Sequence, residues 1–164
     1  MKQLLNILLV FFVNTTYCQI FISYYPPTNQ NFIFDKNQII IGYCDYDYYE
    51  NKNNLYNTNN KLTYTINNNQ ESEQFIIRNN KNELLGYTKY NDKYESIEFY
   101  ITGNVFIGHI KLDTTTAEKP FFYIFDPNGQ AVSFCALIGE THLNNSRDFT
   151  SAILLSFIDL LANL

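Results

Sequence analysis

The sequence predicts a mainly β protein: an antiparallel meander β-barrel of repeated hairpins with a buried C-terminal hydrophobic helix. Three observations predict it, namely a recurring strand–turn–strand pattern, an aromatic-rich composition and one strongly apolar segment near the end of the chain. The 164 residues include 14 Tyr and 14 Phe but no Trp. Phe and Tyr favour the half-buried surface of a sheet. A chain of this length forms a single domain with its own core.

Four hairpins share one pattern, in which an apolar run, a polar turn and a second apolar run follow each other. They span residues 32–43, 75–87, 99–109 and 122–134. In the last of them, Pro127 presets φ for a turn and Gly129 accepts the left-handed conformation that comes after it. From residue 74 to 137, six short apolar runs recur at a spacing of roughly 8–12 residues, which is typical of a barrel or a sandwich.

The polar segments between these runs are interpreted as loops. Residues 45–60 are rich in Asn and Asp and show no period, which predicts a surface loop, and residues 67–73 predict a second one. Two further strands are predicted, over residues 20–24 and over the alternating residues 62–66.

Alternation within a strand assigns side chains to faces. Over residues 105–112 it assigns Phe106, Gly108, Ile110 and Leu112 to one face, and His109 and Lys111 to the other. Gly42, Gly86 and Gly108 each lie early in the second strand of a hairpin. A glycine there predicts a bend or the close approach of a neighbouring backbone.

The C-terminal segment has a helical period. Asp148 is placed to cap a helix over residues 149–163, in which apolar residues cover nearly every face. Ser156, Asp159 and Asn163 form one thin polar stripe along it. A helix that is apolar nearly all round is buried, so we expect this one inside the barrel.

The N-terminus predicts a secretory signal peptide over residues 1–18. Lys2 precedes an apolar run at residues 4–13 that is too short to span a bilayer. Thr16 and Cys18 then place small residues for cleavage before Gln19, which predicts a secreted or periplasmic domain over residues 19–164. A lipid anchor on Cys18 is the alternative, and Tyr17 disfavours it.

Cleavage leaves two cysteines, Cys44 and Cys135. In an oxidising compartment an even number of cysteines predicts one disulfide. Two buried free thiols on adjacent strands are the alternative. The sequence does not decide between them, because it does not give the distance between the two Cα atoms.

The charge of the chain excludes two classes of partner. The net charge is −5 and the pI about 4.9, with no basic run anywhere. Nucleic acids and anionic membrane surfaces both require clustered Lys and Arg, so we expect neither as a partner.

One segment carries the candidate binding residues. They are Asp45, Tyr46, Asp47, Tyr48, Tyr49 and Glu50. Tyrosines interleaved with acids suit a protein or glycan partner. The three acids lack the sixth-position Gly and twelfth-position Glu of a calcium-binding EF-hand loop, so a solvated acidic surface is favoured over a metal site.

No motif predicts catalysis, a metal or a cofactor. Cys44, Cys135, His109 and His142 have no close zinc-ligand spacing. No Ser lies in a Gly-x-Ser-x-Gly turn, and the acids are scattered. The prediction is therefore a non-enzymatic binding protein.

Repeated hairpins followed by one hydrophobic helix resemble the tubby C-terminal-like superfamily, which includes tubby proteins and phospholipid scramblases. The resemblance rests on the hairpin at residues 122–134 and on the helix that begins Asp148-Phe149-Thr150. It implies a closed barrel wrapped around the C-terminal helix. The basic phosphoinositide-binding residues of tubby proteins have no counterpart here, so the resemblance implies a fold and no binding residue.

A lipocalin-like carrier of a small hydrophobic ligand is the alternative function. Lipocalins are also meander barrels followed by a helix. In that arrangement the helix packs outside and leaves an open lumen, and such a helix would carry a broad polar face.

Overall fold

The computed structural model describes residues 18–25, 27–28, 30–69, 71–113, 121–138, 146–162 and 164. The predicted signal peptide lies outside the described residues, apart from Cys18. The described residues form the strands β1 (Cys18–Tyr25), β2 (Gln30–Phe34), β3 (Ile40–Asp47), β4 (Lys52–Asn57), β5 (Leu62–Asn69), β6 (Gln74–Asn79), β7 (Leu84–Asn91), β8 (Ser96–Ile101), β9 (Val105–Asp113), β10 (Phe121–Phe125) and β11 (Ala131–Ile138), followed by the helix α1 (Ser146–Ala162).

The strands form a closed barrel in which every strand pairs with its neighbours in the sequence. All consecutive pairs from β1 to β11 are antiparallel, as predicted, and the barrel closes through a parallel pairing of β1 with β11. The parallel pair has a simple cause. In a meander of eleven described strands, the first and last strands run in the same direction.

Four hairpin turns have the same geometry. The first residue of each turn accepts backbone N–H bonds through its side-chain oxygen from the second and fourth residues after it, at 2.8–3.1 Å. Three residues after it, the backbone is left-handed. The first residues of these turns are Asp35, Asn57, Asn79 and Asp126. Short Asx side chains suit this position because they bond their own backbone two residues on.

A β-bulge lies near the start of the second strand in each of five hairpins. The register shifts beside Ile33, Leu55, Ile77, Phe99 and Ile124. One extra residue on the second strand bends that strand and increases its twist, which favours closure of a barrel.

The three predicted glycines lie directly after such bulges. A Cβ atom on Gly42, Gly86 or Gly108 would lie 2.3–2.5 Å from a backbone carbonyl oxygen of the adjacent strand. The prediction of a close backbone approach at these positions is therefore confirmed.

Each strand contributes at least one buried residue to the barrel interior, and one such residue per strand belongs to a row that repeats around the wall. From β1 to β9 these residues recur every eleven positions and are all at most 8% exposed. They are Ile22, Ile33, Cys44, Leu55, Ile66, Ile77, Thr88, Phe99 and Ile110. β10 and β11 contribute Phe122 and Ser133 in the same way.

Helix α1 fills the space that these residues enclose. Ala152, Ile153, Leu154 and Phe157 are fully buried, and the helix packs against β1, β4, β5, β9, β10 and β11. The predicted buried helix is confirmed. It begins at Ser146 rather than at residue 149, so Asp148 lies within the helix and does not precede it. Among the described residues, no helix has the length and apolarity needed to cross a membrane.

Two glycines of the wall and one serine of the helix determine the position of α1 inside the barrel. The ring of Phe157 lies over Gly86 and the side chain of Leu160 over Gly108, where a Cβ atom would be 2.7 Å and 2.8 Å away. Ser151 Oγ accepts hydrogen bonds from the buried side-chain amides of Asn31, at 3.1 Å, and Asn53, at 2.7 Å. The helix is therefore held in register by polar bonds to β2 and β4 as well as by apolar packing.

The predicted loop over residues 45–60 is wrong. Residues 45–47 complete β3, and Lys52–Asn57 form β4. Asn53 and Leu55 point inward in alternation with their neighbours, so a period of two exists but is carried partly by Asn. Pairing on both sides outweighs the low β-propensity of Asn in β4. The predicted loop over residues 67–73 is likewise too long, because β5 extends to Asn69.

Cys44 and Cys135 are free thiols. Cys44 on β3 and Cys135 on β11 are both fully buried and unpaired with each other. This corrects the disulfide candidate in favour of two buried thiols. The strands that carry them are not adjacent, because β1 and β2 lie between them in the barrel.

Candidate binding groove on the outer face

The residues predicted to bind a partner do not form one surface. Tyr46 is only 8% exposed, and its hydroxyl donates to Asn51 Oδ1. Asp47 Oδ1 accepts the backbone N–H bonds of Tyr49, at 2.9 Å, and Glu50, at 3.1 Å. Asp47 therefore shapes the turn between β3 and β4.

The rest of that segment is half-buried or exposed. Glu50 forms an ion pair with Lys52, and Asp45 lies half-buried on β3. Tyr48 and Tyr49 project into solvent. The segment therefore presents two exposed tyrosines at a tight turn. Of the predicted residues, Glu50 lines a concavity of about 350 Å³, which is otherwise formed by Lys52 and by residues of β5, β6 and the β6–β7 turn.

A larger concave surface lies on the outside of β8, β9 and β10. We call it the outer groove, and it has a volume of about 540 Å³. Its central residues are Glu98, Phe106, His109, Lys111 and Phe125, with Tyr94, Ser96 and the turn at residues 127–129 around them.

Strand register brings three of these residues into one row. Glu98 on β8 lies directly opposite His109 on β9, and His109 lies opposite Phe125 on β10. Side chains directly opposite on antiparallel strands share a face and contact each other.

The bulge in β9 adds Phe106 to this row. Phe99 pairs with Gly108 and Tyr100 with Phe106, so Ile107 is the extra residue. Ile107 is buried, whereas Phe106 and His109 both face outward. The prediction that Phe106 shares the face of Gly108 and Ile110 is wrong for this reason. The placement of His109 and Lys111 opposite Ile110 is confirmed.

Aromatic rings form the floor of the groove. The His109 imidazole stacks on Phe125 at 4.8 Å between ring centroids and 7° between planes, and it faces Phe106 at 6.5 Å and 13°. The row continues through Tyr100, 5.6 Å from Phe106, to Tyr87, which stacks on Tyr100 at 5.4 Å. Tyr43 and Tyr56 form a similar stack at 5.1 Å elsewhere on the outer wall.

Polar groups of both charge signs flank this aromatic floor. Glu98 accepts hydrogen bonds from Asn91 Nδ2, at 2.6 Å, and from the Tyr100 hydroxyl, at 2.7 Å. The bond to Glu98, together with burial, raises the pKa of Tyr100 to about 12, so its hydroxyl stays a donor. Desolvation, followed by the charge of Lys111, lowers the pKa of His109. His109 is therefore neutral at pH 7.

The groups considered for a zinc site do not converge. Cys44 and Cys135 lie inside the barrel, His109 lies on its outer face, and His142 falls outside the described residues. Within the part of the chain that the structure describes, no three His, Cys, Asp or Glu side chains cluster as metal ligands would.

Comparison with protein-family models, with curated proteins and with solved structures gives no match. A function for the chain is therefore inferred from its sequence and from the geometry of the barrel and its surface.

Proposed function

We propose that the protein is an exported, non-enzymatic binding protein whose outer groove binds a glycan. The observation that carries the proposal is the groove itself, which combines an aromatic floor with polar groups of both signs. Helix α1 occupies most of the barrel interior, which leaves less room for a ligand there than the open lumen of a lipocalin-like carrier would. The outer wall offers this groove to a glycan instead.

The chemistry of the groove favours a sugar over other ligands. Each sugar hydroxyl both donates and accepts, and Lys111 supplies donors while Glu98 supplies an acceptor. Aromatic rings provide apolar contact for the C–H groups of a sugar ring, as in other ligand sites that join rings with a few placed polar groups. The opposite charges of Glu98 and Lys111 favour a neutral ligand over a strongly charged one.

The proposal also includes export of the protein and a relationship to a known superfamily. Residues 1–18 have the charge and apolar pattern of a signal peptide, and cleavage before Gln19 would leave nearly all of β1 in place. The helix inside a closed barrel supports a relationship to the tubby C-terminal-like superfamily. A protein partner is the alternative to a glycan.

A glycan microarray with fluorescently labelled protein tests the proposal. We expect binding to neutral oligosaccharides that weakens at least tenfold in the double variant His109→Ala/Lys111→Ser. The matched control is Tyr48→Ser/Tyr49→Ser, which changes two exposed residues of the segment predicted from sequence and leaves the groove intact. It should bind like the wild type.

Three results would contradict the proposal. Loss of binding in the Tyr48/Tyr49 variant alone would move the site to the β3–β4 turn. Absence of any glycan signal, together with capture of a protein partner, would support the alternative. An intact mass of the exported protein that does not begin at Gln19 would contradict the predicted cleavage.

A further inference from the structure

A second concavity lies inside the barrel wall, at the C-terminal end of α1. We call it the helix-end cavity, and it has a volume of about 240 Å³. One side is formed by Leu155, Ile158, Asp159 and Ala162 of the helix. The opposite side is formed by apolar residues of β1 to β4, which include Ile20, Ile33, Ile41 and Leu55.

The cavity exists because glycines recur at equivalent positions of the wall, whereas the helix does not place a side chain against each of them. Phe157 covers Gly86 and Leu160 covers Gly108, but the nearest neighbours of Gly42 are all backbone atoms of β4. The wall therefore leaves equivalent space at three glycines, and helix side chains lie closely against only two of them. The space beside Gly42 is part of the helix-end cavity.

The cavity opens to solvent at the end of the barrel that carries the turn at residues 35–39. Ile41 is 47% exposed at its rim, and Ala162 of the last helical turn is also exposed. Ile39 and Ile40 extend this apolar rim and are 60% and 46% exposed. A small apolar molecule can therefore reach the interior without unfolding of the barrel.

One carboxyl group lies in the otherwise uncharged lining. Asp159 is 8% exposed and is the single ionisable acid or base among the described residues that line the cavity, apart from the phenol of Tyr56. It lies in the last turn of α1, where the helix dipole already favours positive charge, and that turn contains no basic residue. Both features favour a cationic group over an anionic one.

We infer that the helix-end cavity binds a small apolar primary amine, with its hydrocarbon part among Ile33, Leu55 and Ile158 and its ammonium group at Asp159. The volume is below the roughly 300–1,000 Å³ of sites for drug-sized ligands, so the ligand is smaller than those. The cavity shares no residue with the outer groove, and this inference does not depend on the glycan proposal.

The test compares two probes of nearly equal shape, benzylamine and benzyl alcohol, by isothermal titration and ligand-observed NMR at pH 7. We expect saturable binding of benzylamine, at least tenfold tighter than that of the alcohol. Asp159→Asn should remove this preference. The matched control Asp92→Asn makes the same change in the exposed β7–β8 turn at the other end of the barrel and should leave binding unchanged.

A cavity-filling variant keeps the test decisive if Asp159→Asn does not fold. Ala162→Phe places a ring at the exposed mouth of the cavity and should abolish binding of both probes while the thermal unfolding temperature stays the same. The inference is overturned if benzylamine shows no saturable binding at millimolar concentration. Equal affinity for the two probes, or unchanged binding in Ala162→Phe, would overturn it as well.

Discussion

Ser151 is the residue on which two buried amides converge. The side-chain amides of Asn31 and Asn53 both donate to its hydroxyl oxygen from separate strands. All three residues are fully buried. A buried polar group that loses its partner costs more than the hydrogen bond contributes.

We therefore expect Ser151→Ala to lower the free energy of unfolding by about 2–5 kcal/mol. Urea denaturation measures the change. The matched control is Ser156→Ala, because Ser156 is equally buried but donates only to the Ala152 carbonyl within the helix, at 2.8 Å. Its loss should cost less than about 1 kcal/mol. Equal losses in the two variants would contradict a role of Ser151 in holding the helix.

The two thiols should be protected from alkylation and sensitive to high pH. Burial raises the pKa of Cys44 from 9.0 to about 12 and raises the pKa of Cys135 strongly. Iodoacetamide at pH 8 should leave both unmodified in the folded protein. In urea without reductant it should label both Cys44 and Cys135, as peptide mapping would show, and absence of labelling at these two residues would indicate a disulfide.

The raised pKa values of the two thiols also determine how the free energy of unfolding changes with pH. The folded state holds both protons to a higher pH than the unfolded state does, so this stabilisation is complete below about pH 9 and is lost as the pH rises toward 12. Urea denaturation at pH 7.5 and pH 10 measures the loss. The control Cys44→Ala/Cys135→Ala lacks both thiols and should lose less stability over the same interval.

Among the elements, the glycines that follow three of the five bulges can be tested most directly. A Cβ atom on Gly86 would lie 2.3 Å from the Tyr100 carbonyl oxygen and 2.7 Å from the Phe157 ring. Both groups are fixed by the wall and the helix. We expect Gly86→Ala to cost about 3 kcal/mol through overpacking, as measured by urea denaturation.

The control for this prediction is Gly103→Ala in the β8–β9 turn. Gly103 has nothing within 4 Å of the added atom, but its φ is +88°. Its substitution should cost only the backbone strain of about 1–2 kcal/mol. A smaller loss in Gly86→Ala than in Gly103→Ala would show that the wall yields at the bulge.

For the secondary-structure elements, the sequence predicts most of the strands but assigns some side chains to the wrong face of their strand. The six runs from residue 74 to 137 match β6 to β11, because Ile, Phe and Tyr mark them clearly. β4 escapes prediction because it carries Asn at three of its six positions, including the inward Asn53, so that Leu55 is its one inward apolar residue. One signal could have found it: the turn at Asn57 comes twenty-two residues after the turn at Asp35 and precedes the turn at Asn79 by the same interval.

The outer groove could not be predicted from the sequence for a related reason. Phe106 and His109 are three positions apart, and an unbroken strand would place them on opposite faces. The bulge at Ile107 brings them together, and its position depends on strand pairing. Tyr46 shows a different error, because the sequence predicts residues 45–60 as a loop. β3 extends to Asp47, and alternation along it places Tyr46 on the inward face with Gly42 and Cys44.

For the whole molecule, the helix is the core that the barrel requires. Deletion of residues 151–164 would leave the inward residues of the strands without their packing partner. We expect the truncated protein to be insoluble or to lack a cooperative thermal transition, as measured by circular dichroism and sedimentation. A soluble, cooperatively folded truncation would contradict this role of the helix.

The chain order of the barrel also determines when it can become stable. α1 is encoded after all eleven described strands, and closure requires β1 to meet β11 across more than one hundred residues of chain. Both requirements raise the contact order and slow folding. Until the helix has been made, the wall lacks its packing partner, so we expect a growing chain to form no stable tertiary structure. For the export proposed above, such a delay would be an advantage, because a chain that crosses a membrane as an extended polypeptide has to remain unfolded until it has passed.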